Sequence, residues 1–303
     1  MPTLKEIKGR IGSVKSTLKI TSAMKLVSSA KLHKAQQATE AMRPYEDALQ
    51  NMLTLVQGSS TQRADSVLEG PVSDCSSTTD PESVRGHRII IAMASNSSLC
   101  GGFNANIIAK VRSVRQPGDI VYSVGRKMAD AMRRDGFPSP QDLNAWAEHA
   151  SYAPCAELVE QLAEDVKEGR VEKVLLVYTH FVSTARQVPV VEVLLQKEEE
   201  GSLSSAKEGA DATEREPSPS DVIIEPGRKE LLKSLLPKTL KLKLYAALLD
   251  SSAAEHAART VAMQTATDNA ENLLAELTLQ YNKGRQQKIT SEILDLAGGQ
   301  AQD

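Results

Sequence analysis

The two ends of the chain carry apolar residues at alternating intervals of three and four over unusually long stretches. The pattern covers residues 3–57 near the start and runs from about Gly227 to Leu296 near the end. Spacing that averages 3.5 residues places one apolar stripe along a helix and favours left-handed winding around a second helix. Helices in globular domains average about 11–12 residues, so each segment needs a long packing partner. We therefore predict that the two segments pair as an antiparallel coiled coil.

In both segments the apolar stripe consists of residues spaced alternately three and four apart. In the first segment these are Leu4, Ile7, Ile11, Val14 and Leu18, then Ala35, Ala38, Met42, Tyr45, Leu49, Met52 and Val56. In the second they are Leu242, Ala246, Leu249 and Ala253, then Ala270, Leu274, Leu277 and Tyr281. Residues 19–31 are less regular, which predicts a slip of register there. Pro44 is expected to kink the first helix or to break it locally.

Between the two segments, apolar runs alternate with amphipathic ones. Strands are predicted at 88–95, 119–125, 171–181 and 187–196, and helices at 104–115, 126–135 and 155–170. Such alternation is typical of a small, largely parallel sheet covered by helices. The predicted fold class is therefore α/β plus a long antiparallel coiled coil, with a Rossmann-like domain inserted between paired terminal helices. The predicted divisions are helix 1–57, linker 58–86, α/β domain 87–196, mobile acidic loop 197–226 and helix 227–303.

The sequence SSLCGGFNANI (97–107) is the one candidate for a small-ligand site. A Gly pair before a helix could hold a phosphate, although the segment matches neither the dinucleotide nor the triphosphate loop pattern. The structural interpretation is a tight turn in which Asn104 caps the following helix. Cys100 has no histidine near it in sequence, and the five histidines lack metal-ligand spacing. We predict no catalytic residues, no cofactor and no metal.

Charge and composition favour a protein partner. The net charge of −3 argues against nucleic acid, and aromatic residues are only 3% of the chain. The first helix nevertheless has a basic face, formed by Lys5, Lys8, Arg10, Lys15, Lys19, Lys25, Lys31 and Lys34. Near the other end, residues 258–299 carry polar side chains on almost every face, from Thr265, Thr267 and Asp268 onwards. Because buried polar groups need partners, this pattern predicts a helix end surrounded by protein.

Three blocks of the chain resemble one family. The opening LKEIKGRIGSVKSTLKITSAMKLVSSAKLHKAQ, the internal SLCGGFNANI and the final QTATDNAENL with LTLQYNKGRQQKITSEI are similar to F-type ATP synthase gamma subunits. The chain departs from the family's Asp-Arg-Gly run before Leu-Cys-Gly-Gly, where it has Asn96, Ser97 and Ser98. The resemblance covers nearly the whole chain.

The resemblance implies a non-catalytic rotor shaft. Its coiled coil would fill the bore of a hexamer of alpha and beta subunits, and its α/β domain would meet the epsilon subunit and the ring of c subunits. One copy per complex would turn with that ring and couple ion flow to ATP synthesis or hydrolysis. The complex would lie on the cytoplasmic face of the bacterial inner membrane, with membrane association only through the c ring and no nucleic acid bound.

The resemblance also implies contact residues. Arg285 and Gln286 would bond an acidic loop of a beta subunit, with Thr290 and Glu292 one turn further on, and Met24 would face the beta-subunit hinge. Two other functions stay open on the residues alone. One is a coiled-coil adaptor without a rotary role, and the other is a nucleotide-binding α/β enzyme.

Overall fold

Two long helices from the ends of the chain pair side by side along a common axis. The computed structural model describes residues 3–57, 87–196 and 227–299, so the predicted loops at 58–86 and 197–226 lie outside the described residues. Helix α1 spans Leu4–Gln57 and helix α5 spans Arg228–Gly299, 54 and 72 residues long. Thr3 and Glu6 cap α1 reciprocally, each backbone N–H donating to the other's side chain at 3.0 and 3.3 Å. The predicted fold class is confirmed.

The seam of the coiled coil keeps its register through the segment where we expected a slip. On α1 the buried and half-buried positions continue from Leu18 through Thr21, Lys25, Ser28 and Leu32 at unbroken intervals of three and four. The slip predicted for 19–31 is therefore wrong. A hydrophobic pattern does not reveal this part of the seam because the small polar residues Thr21 and Ser28 occupy seam positions in it. They can be buried because their hydroxyls bond their own helix. Thr21 donates to the carbonyl of Leu18 at 3.1 Å and Ser28 to that of Met24 at 2.8 Å.

Two details of the first helix differ from expectation. Tyr45 and Met52 point outwards, with 55% and 51% of their surface exposed. The seam instead passes through Glu46 and Leu53, which form an overlapping 3-4 run, and hydrophobic period alone does not separate the two choices. Helix α1 also continues through Pro44, so of the two expected effects, a kink or a local break, the break does not occur. Pro44 lies on the exposed side, where water can hydrate the carbonyl that loses its bond.

A four-stranded sheet lies beside the coiled coil. Its strands are β1 (His87–Met93), β2 (Ile120–Val124), β3 (Val171–Phe181) and β4 (Gln187–Gln196), in the order β2-β1-β3-β4. The first three are parallel and β4 is antiparallel to β3. Helices α2 (Phe103–Val114), α3 (Arg126–Arg134) and α4 (Tyr152–Lys167) cover it, and a short 3-10 helix at Asn144–Ala147 was not predicted.

The two faces of the sheet have separate cores. Helices α2 and α3 cover one face, around Ile107, Val111 and Met128. On the other face α4 is joined by α5, which contributes Leu244, Ala247 and Leu248 to the core. Asp250 on α5 also accepts hydrogen bonds from the backbone N–H of Phe181 at 3.0 Å and pairs with His180 at 2.6 Å. The sheet is thus packed directly on the second shaft helix.

Candidate partner interface

The last part of α5 extends beyond the end of α1. Leu4 begins α1 beside Gly284, where an added Cβ would lie 3.1 Å from Leu4 Cδ2. Residues 285–299 continue α5 with no helix beside them among the described residues, a length of roughly 22 Å at 1.5 Å per residue. Every residue from Arg285 to Leu294 is exposed. We call residues 285–299 the tip.

The tip carries four of the five predicted contact residues. Arg285, Gln286, Thr290 and Glu292 fall within a sector of about 160° on the helix at 100° per residue. The Thr290 hydroxyl donates to the carbonyl of Gln286 at 2.9 Å, and Glu292 forms an exposed ion pair with Lys288 at 3.6 Å. The side chains of the four are therefore accessible to a partner along one face.

Sequence reasoning missed the apolar centre of this face. Ile289 and Ile293 lie between the four polar residues and are 45% and 60% exposed. An exposed apolar centre with a polar rim is the usual composition of a protein-binding surface. Their spacing of four places both on one face of the helix, a signal that the sequence already contained. Only the position of the α1 start shows that α1 does not cover them.

Met24, the fifth predicted contact residue, does not lie with the other four. It is 20 positions after Leu4 on α1, which corresponds to about 30 Å along the shaft. There it lines a surface hollow together with Lys31, Ser97, His256 and Arg259. The structure therefore separates the predicted contacts into the tip and this hollow, which we call the junction because α1, α5 and the turn after β1 meet there.

A buried ion pair organises the junction. Arg259 contacts Glu255 at 2.8 Å, with only 9% of either side chain exposed, and donates to the Ser97 hydroxyl at 2.9 Å. Burial raises the pKa of Glu255, while the positive charge of Arg259 acts in the opposite direction. Burial, together with Arg259 and Lys31, lowers the pKa of His256 to about 4, so this imidazole is neutral at pH 7. Sequence reasoning missed the role of all three residues, since the i, i+4 spacing of Glu255 and Arg259 is also that of an ordinary solvated pair.

The turn after β1 is held by amide side chains. Asn96 donates to the Asn144 carbonyl and to Glu148, each at 2.9 Å, and accepts from the Arg126 N–H at 2.9 Å. Asn104 bonds the backbone N–H of Ser95 at 3.1 Å and does not cap α2, whose N-cap is Gly102. The capping role predicted for Asn104 is therefore wrong. Its side chain ties the end of β1 to α2, because the turn brings Ser95 within its reach.

Thr267, predicted to belong to the polar surface near the end of the chain, is not exposed. It is buried in the seam, and its hydroxyl lies 3.1 Å from that of Thr21 while donating to the Met263 carbonyl at 2.8 Å. The surface that is exposed all round is therefore found at Arg285–Leu294 and not over the whole of 258–299. Within the described residues, no group of His, Cys, Asp and Glu side chains could hold a metal ion, and no helix is long and apolar enough to cross a membrane.

These features define a class of protein: a coiled-coil shaft with an α/β domain packed beside one half and a single exposed helix at the far end. A family model described as ATP synthase matches residues 3–301. The chain is 45% identical over 306 residues to the ATP synthase gamma chain of Phocaeicola vulgatus, covering 99% of each chain. It is 42% identical to that of Bacteroides thetaiotaomicron over 320 residues, covering 100% of each. The chain belongs to the ATP synthase gamma chain family.

Solved structures agree with this assignment at the level of the fold. A chain from the OSCP/F1/c-ring structure of the Euglena gracilis mitochondrial ATP synthase superposes with a TM-score of 0.63 at 19% identity, covering 98% of this chain and 93% of that one. A chain from the rotor of the same enzyme gives 0.61 at 18% identity, covering 94% and 98%. The resemblance seen in the sequence is confirmed by the family model and the relatives, and the solved structures show the same fold.

Proposed function

We propose that this chain is the rotating central shaft of a proton-translocating bacterial ATP synthase and has no catalytic site of its own. The observation that carries the proposal is the tip, where every residue from Arg285 to Leu294 is exposed and two isoleucines form an apolar centre within a polar rim. Ile289 and Ile293 are left facing water on this segment, and a protein that surrounds it would bury them. A ring of alternating alpha and beta subunits is the partner that fits this geometry.

The charges near the tip suit exchangeable contacts. Arg285 and Gln286 would meet an acidic loop of a beta subunit, with Thr290 and Glu292 further along, and Met24 would meet a beta subunit at the junction. Exposed polar contacts are each worth about 1 kcal/mol or less, so the shaft can leave one beta subunit for the next without being trapped. The basic face of α1 would contribute in the same way.

The α/β domain would lie at the membrane-facing end of the complex. Because α5 contributes Leu244 and Leu248 to the core of the sheet, torque applied to the domain passes into the shaft through packed side chains. We expect this domain to contact the epsilon subunit and the c ring, with one copy of the chain per complex. The complex would lie peripherally on the cytoplasmic face of the inner membrane, associated with it through the c ring.

Co-expression with the alpha and beta chains of the same genome tests this proposal. We expect the full-length chain to co-purify with both as a soluble complex whose ATP hydrolysis rotates a bead attached to the α/β domain. A chain ending after Gly284 keeps the seam but lacks the tip, and we expect weaker assembly or lower torque. A chain that purifies alone as a homodimer, or equal torque without the tip, would contradict the proposal and favour a coiled-coil adaptor.

A further inference from the structure

The C-terminal part of α1 carries a second apolar stripe outside the seam. Its five members are exposed and are spaced alternately four and three apart, and we call them the apolar flank: Ala41, Tyr45, Ala48, Met52 and Leu55. At 100° per residue the flank lies roughly 100° around the helix from the seam. The seam here consists of Met42, Glu46, Leu49, Leu53 and Val56. The flank is therefore a separate surface that α5 does not cover.

The other side of the same helix is polar. At the same angle from the seam, in the opposite direction, α1 carries four exposed polar residues: Arg43, Asp47, Gln50 and Thr54. Water on both sides of the seam would favour polar residues on both. Single exposed apolar residues are normal, but a continuous apolar stripe marks a surface that another segment covers.

The apolar flank faces the side of the shaft on which α4 lies. Burial is the main cause of a raised pKa at Glu46, and Glu192 on β4 and Lys243 on α5 are near enough to contribute to it. Lys243 also pairs with Glu192 at 3.1 Å, so β4 lies beside the polar side of α1. Lys241, two positions earlier and so on the other side of α5, pairs with Glu160 on α4. The flank therefore faces away from β4 and towards α4.

Residues 58–86 are connected to both ends of this region. They follow Gln57, two positions after Leu55, and lead to His87, the first residue of β1. Strand β1 is separated from β4 by β3, which places it away from the polar side of α1. Residues 197–226, by contrast, follow the last residue of β4 and so begin on the polar side. Connectivity thus favours 58–86 as the segment that covers the flank.

The length and composition of 58–86 suit this role. The flank is roughly 21 Å long at 1.5 Å per residue, and about seven residues of extended chain span that distance, so 29 residues can run along it and return to β1. Gly58 directly follows the last residue of α1, and glycine after a helix favours reversal of the chain. Val67, Leu68 and Val72 supply apolar side chains.

We propose that residues 58–86 fold back along α1 and cover the apolar flank, with Val67, Leu68 and Val72 packed against Tyr45 and Met52. The segment is tethered directly to α1, so its effective concentration at the flank is high and no second molecule is required. This contact would tie the end of α1 to the α/β domain, which packs on the shaft through α5. It does not depend on the rotary role and is testable on the free chain.

Photo-crosslinking of the purified full-length chain tests the contact. A benzophenone amino acid in place of Met52 should attach on irradiation to peptides from 58–86, which mass spectrometry of the digest identifies. The same amino acid in place of Gln50, on the polar side, is the matched control and should not attach to them. Attachment of the Met52 probe to 197–226, or no attachment at all, would overturn the proposal.

Thermal unfolding of serine variants gives a second test. Tyr45→Ser with Met52→Ser, and separately Val67→Ser with Leu68→Ser, should each lower the melting temperature by on the order of 5 °C. All four changes together should lower it by less than the two losses combined, because both pairs remove the same contact. Gln50→Ser with Thr54→Ser is the control and should change it little. Fully additive losses would contradict the contact.

The complex with alpha and beta chains provides the last comparison. If the Met52 probe attaches to 58–86 in the free chain, it should do so in the complex as well. Attachment only to another subunit, in the complex alone, would assign the flank to that subunit and would overturn the fold-back. Failure of the chain to assemble or rotate would count against the proposed function and would leave the crosslink in the free chain unaffected.

Discussion

Arg259 on α5 donates a hydrogen bond of 2.9 Å to the Ser97 hydroxyl, which lies 162 positions earlier in the chain. The same guanidinium contacts Glu255 one helical turn before it at 2.8 Å. One buried side chain therefore connects the second shaft helix with the turn that follows the first strand of the α/β domain. At this turn Asn96 donates to the Asn144 carbonyl, and Ser97 accepts the charge-assisted hydrogen bond from Arg259.

Removing one member of this buried pair should destabilise the chain strongly. Arg259→Met leaves Glu255 buried without its cation, and we expect the free energy of unfolding to fall by about 3–5 kcal/mol. The double variant Arg259→Met, Glu255→Met should recover much of this loss, because no unpaired charge remains. Urea denaturation of the full-length chain measures both values.

The exposed pair of the tip is the matched control. Lys288→Met changes an ion pair of the same i, i+4 spacing whose side chains are 66% and 61% exposed, and the expected change is below about 1 kcal/mol. If Lys288→Met and Arg259→Met lowered the free energy of unfolding equally, the burial of Arg259 would contribute nothing to stability.

His256 should make the stability of the chain depend on pH. Its pKa is 6.5 when unfolded and about 4 in the folded protein, so between these values the unfolded state binds more protons. Stability from this residue is therefore fully present above pH 6.5 and is lost as the pH falls towards 4. Glutamine does not titrate, so His256→Gln should remove this pH-dependent part of the free energy of unfolding.

The difference in melting temperature between wild type and His256→Gln isolates the contribution of His256. Burial raises the pKa values of Glu255 and Asp250, but both groups titrate in the two proteins, so their effect cancels in the difference. Thermal melts at intervals from pH 4 to pH 7 follow it. A difference in melting temperature that does not change with pH would exclude a neutral buried His256.

Gly125 should not tolerate a side chain. Its φ is +92°, and an added Cβ would lie 2.1 Å from the carbonyl oxygen of Ala94, which is backbone and cannot move aside. Gly125→Ala should therefore destabilise the chain by more than about 3 kcal/mol, or prevent folding. Gly118→Ala is the control, since Gly118 has a φ of +94° with nothing within 4 Å of the added carbon. Gly118→Ala should lower the free energy of unfolding only through backbone strain, by about 1 kcal/mol. Similar unfolding midpoints for the two variants would refute the steric argument.

The apolar centre of the tip should matter to the complex and not to the isolated chain. Ile289→Ser combined with Ile293→Ser removes exposed apolar surface, so the unfolding midpoint of the free chain should change little. If the tip is enclosed by alpha and beta subunits, the loss of two buried isoleucines should weaken assembly by roughly 3–6 kcal/mol or reduce torque.

Leu279→Ser is the matched control, because Leu279 is 71% exposed but lies before the tip, where α1 is still alongside. Size-exclusion chromatography and single-molecule rotation of the complexes compare the variants. A larger effect from Leu279→Ser would move the proposed contact surface away from the tip.

Element positions in the α/β domain were predictable almost to the residue. The strand at Val171–Phe181 agrees at both ends, and the other strands and helices agree within a few residues. Runs of buried β-branched residues and amphipathic helices are local signals, so no tertiary information is needed to read them. The effect of Pro44 could not be read locally. The helix tolerates this proline because the carbonyl that loses its bond can be hydrated, and which side of α1 faces water depends on how the two helices pair.

The seam shows where local signals become ambiguous. Tyr45 and Met52 fit the 3-4 spacing as well as Glu46 and Leu53 do, and the choice between them is made by the helix that packs opposite. Thr21 and Thr267 occupy seam positions that a hydrophobic pattern cannot identify. Their burial is acceptable only because both hydroxyls have partners, at distances that depend on how the two helices are paired.

The sequence by itself determined that two long helices pair around an α/β domain, and its motifs indicated the family, because periodicity and motif are local properties of the chain. Only the tertiary structure decided which residues remain without a neighbour. It showed that α1 begins beside Gly284 and leaves Ile289 and Ile293 uncovered, and that Arg259 reaches Ser97 while Met24 lies about 30 Å from the tip. Exposure and contact are relations between distant segments, and they exist only after the helices have paired and the sheet has packed against α5.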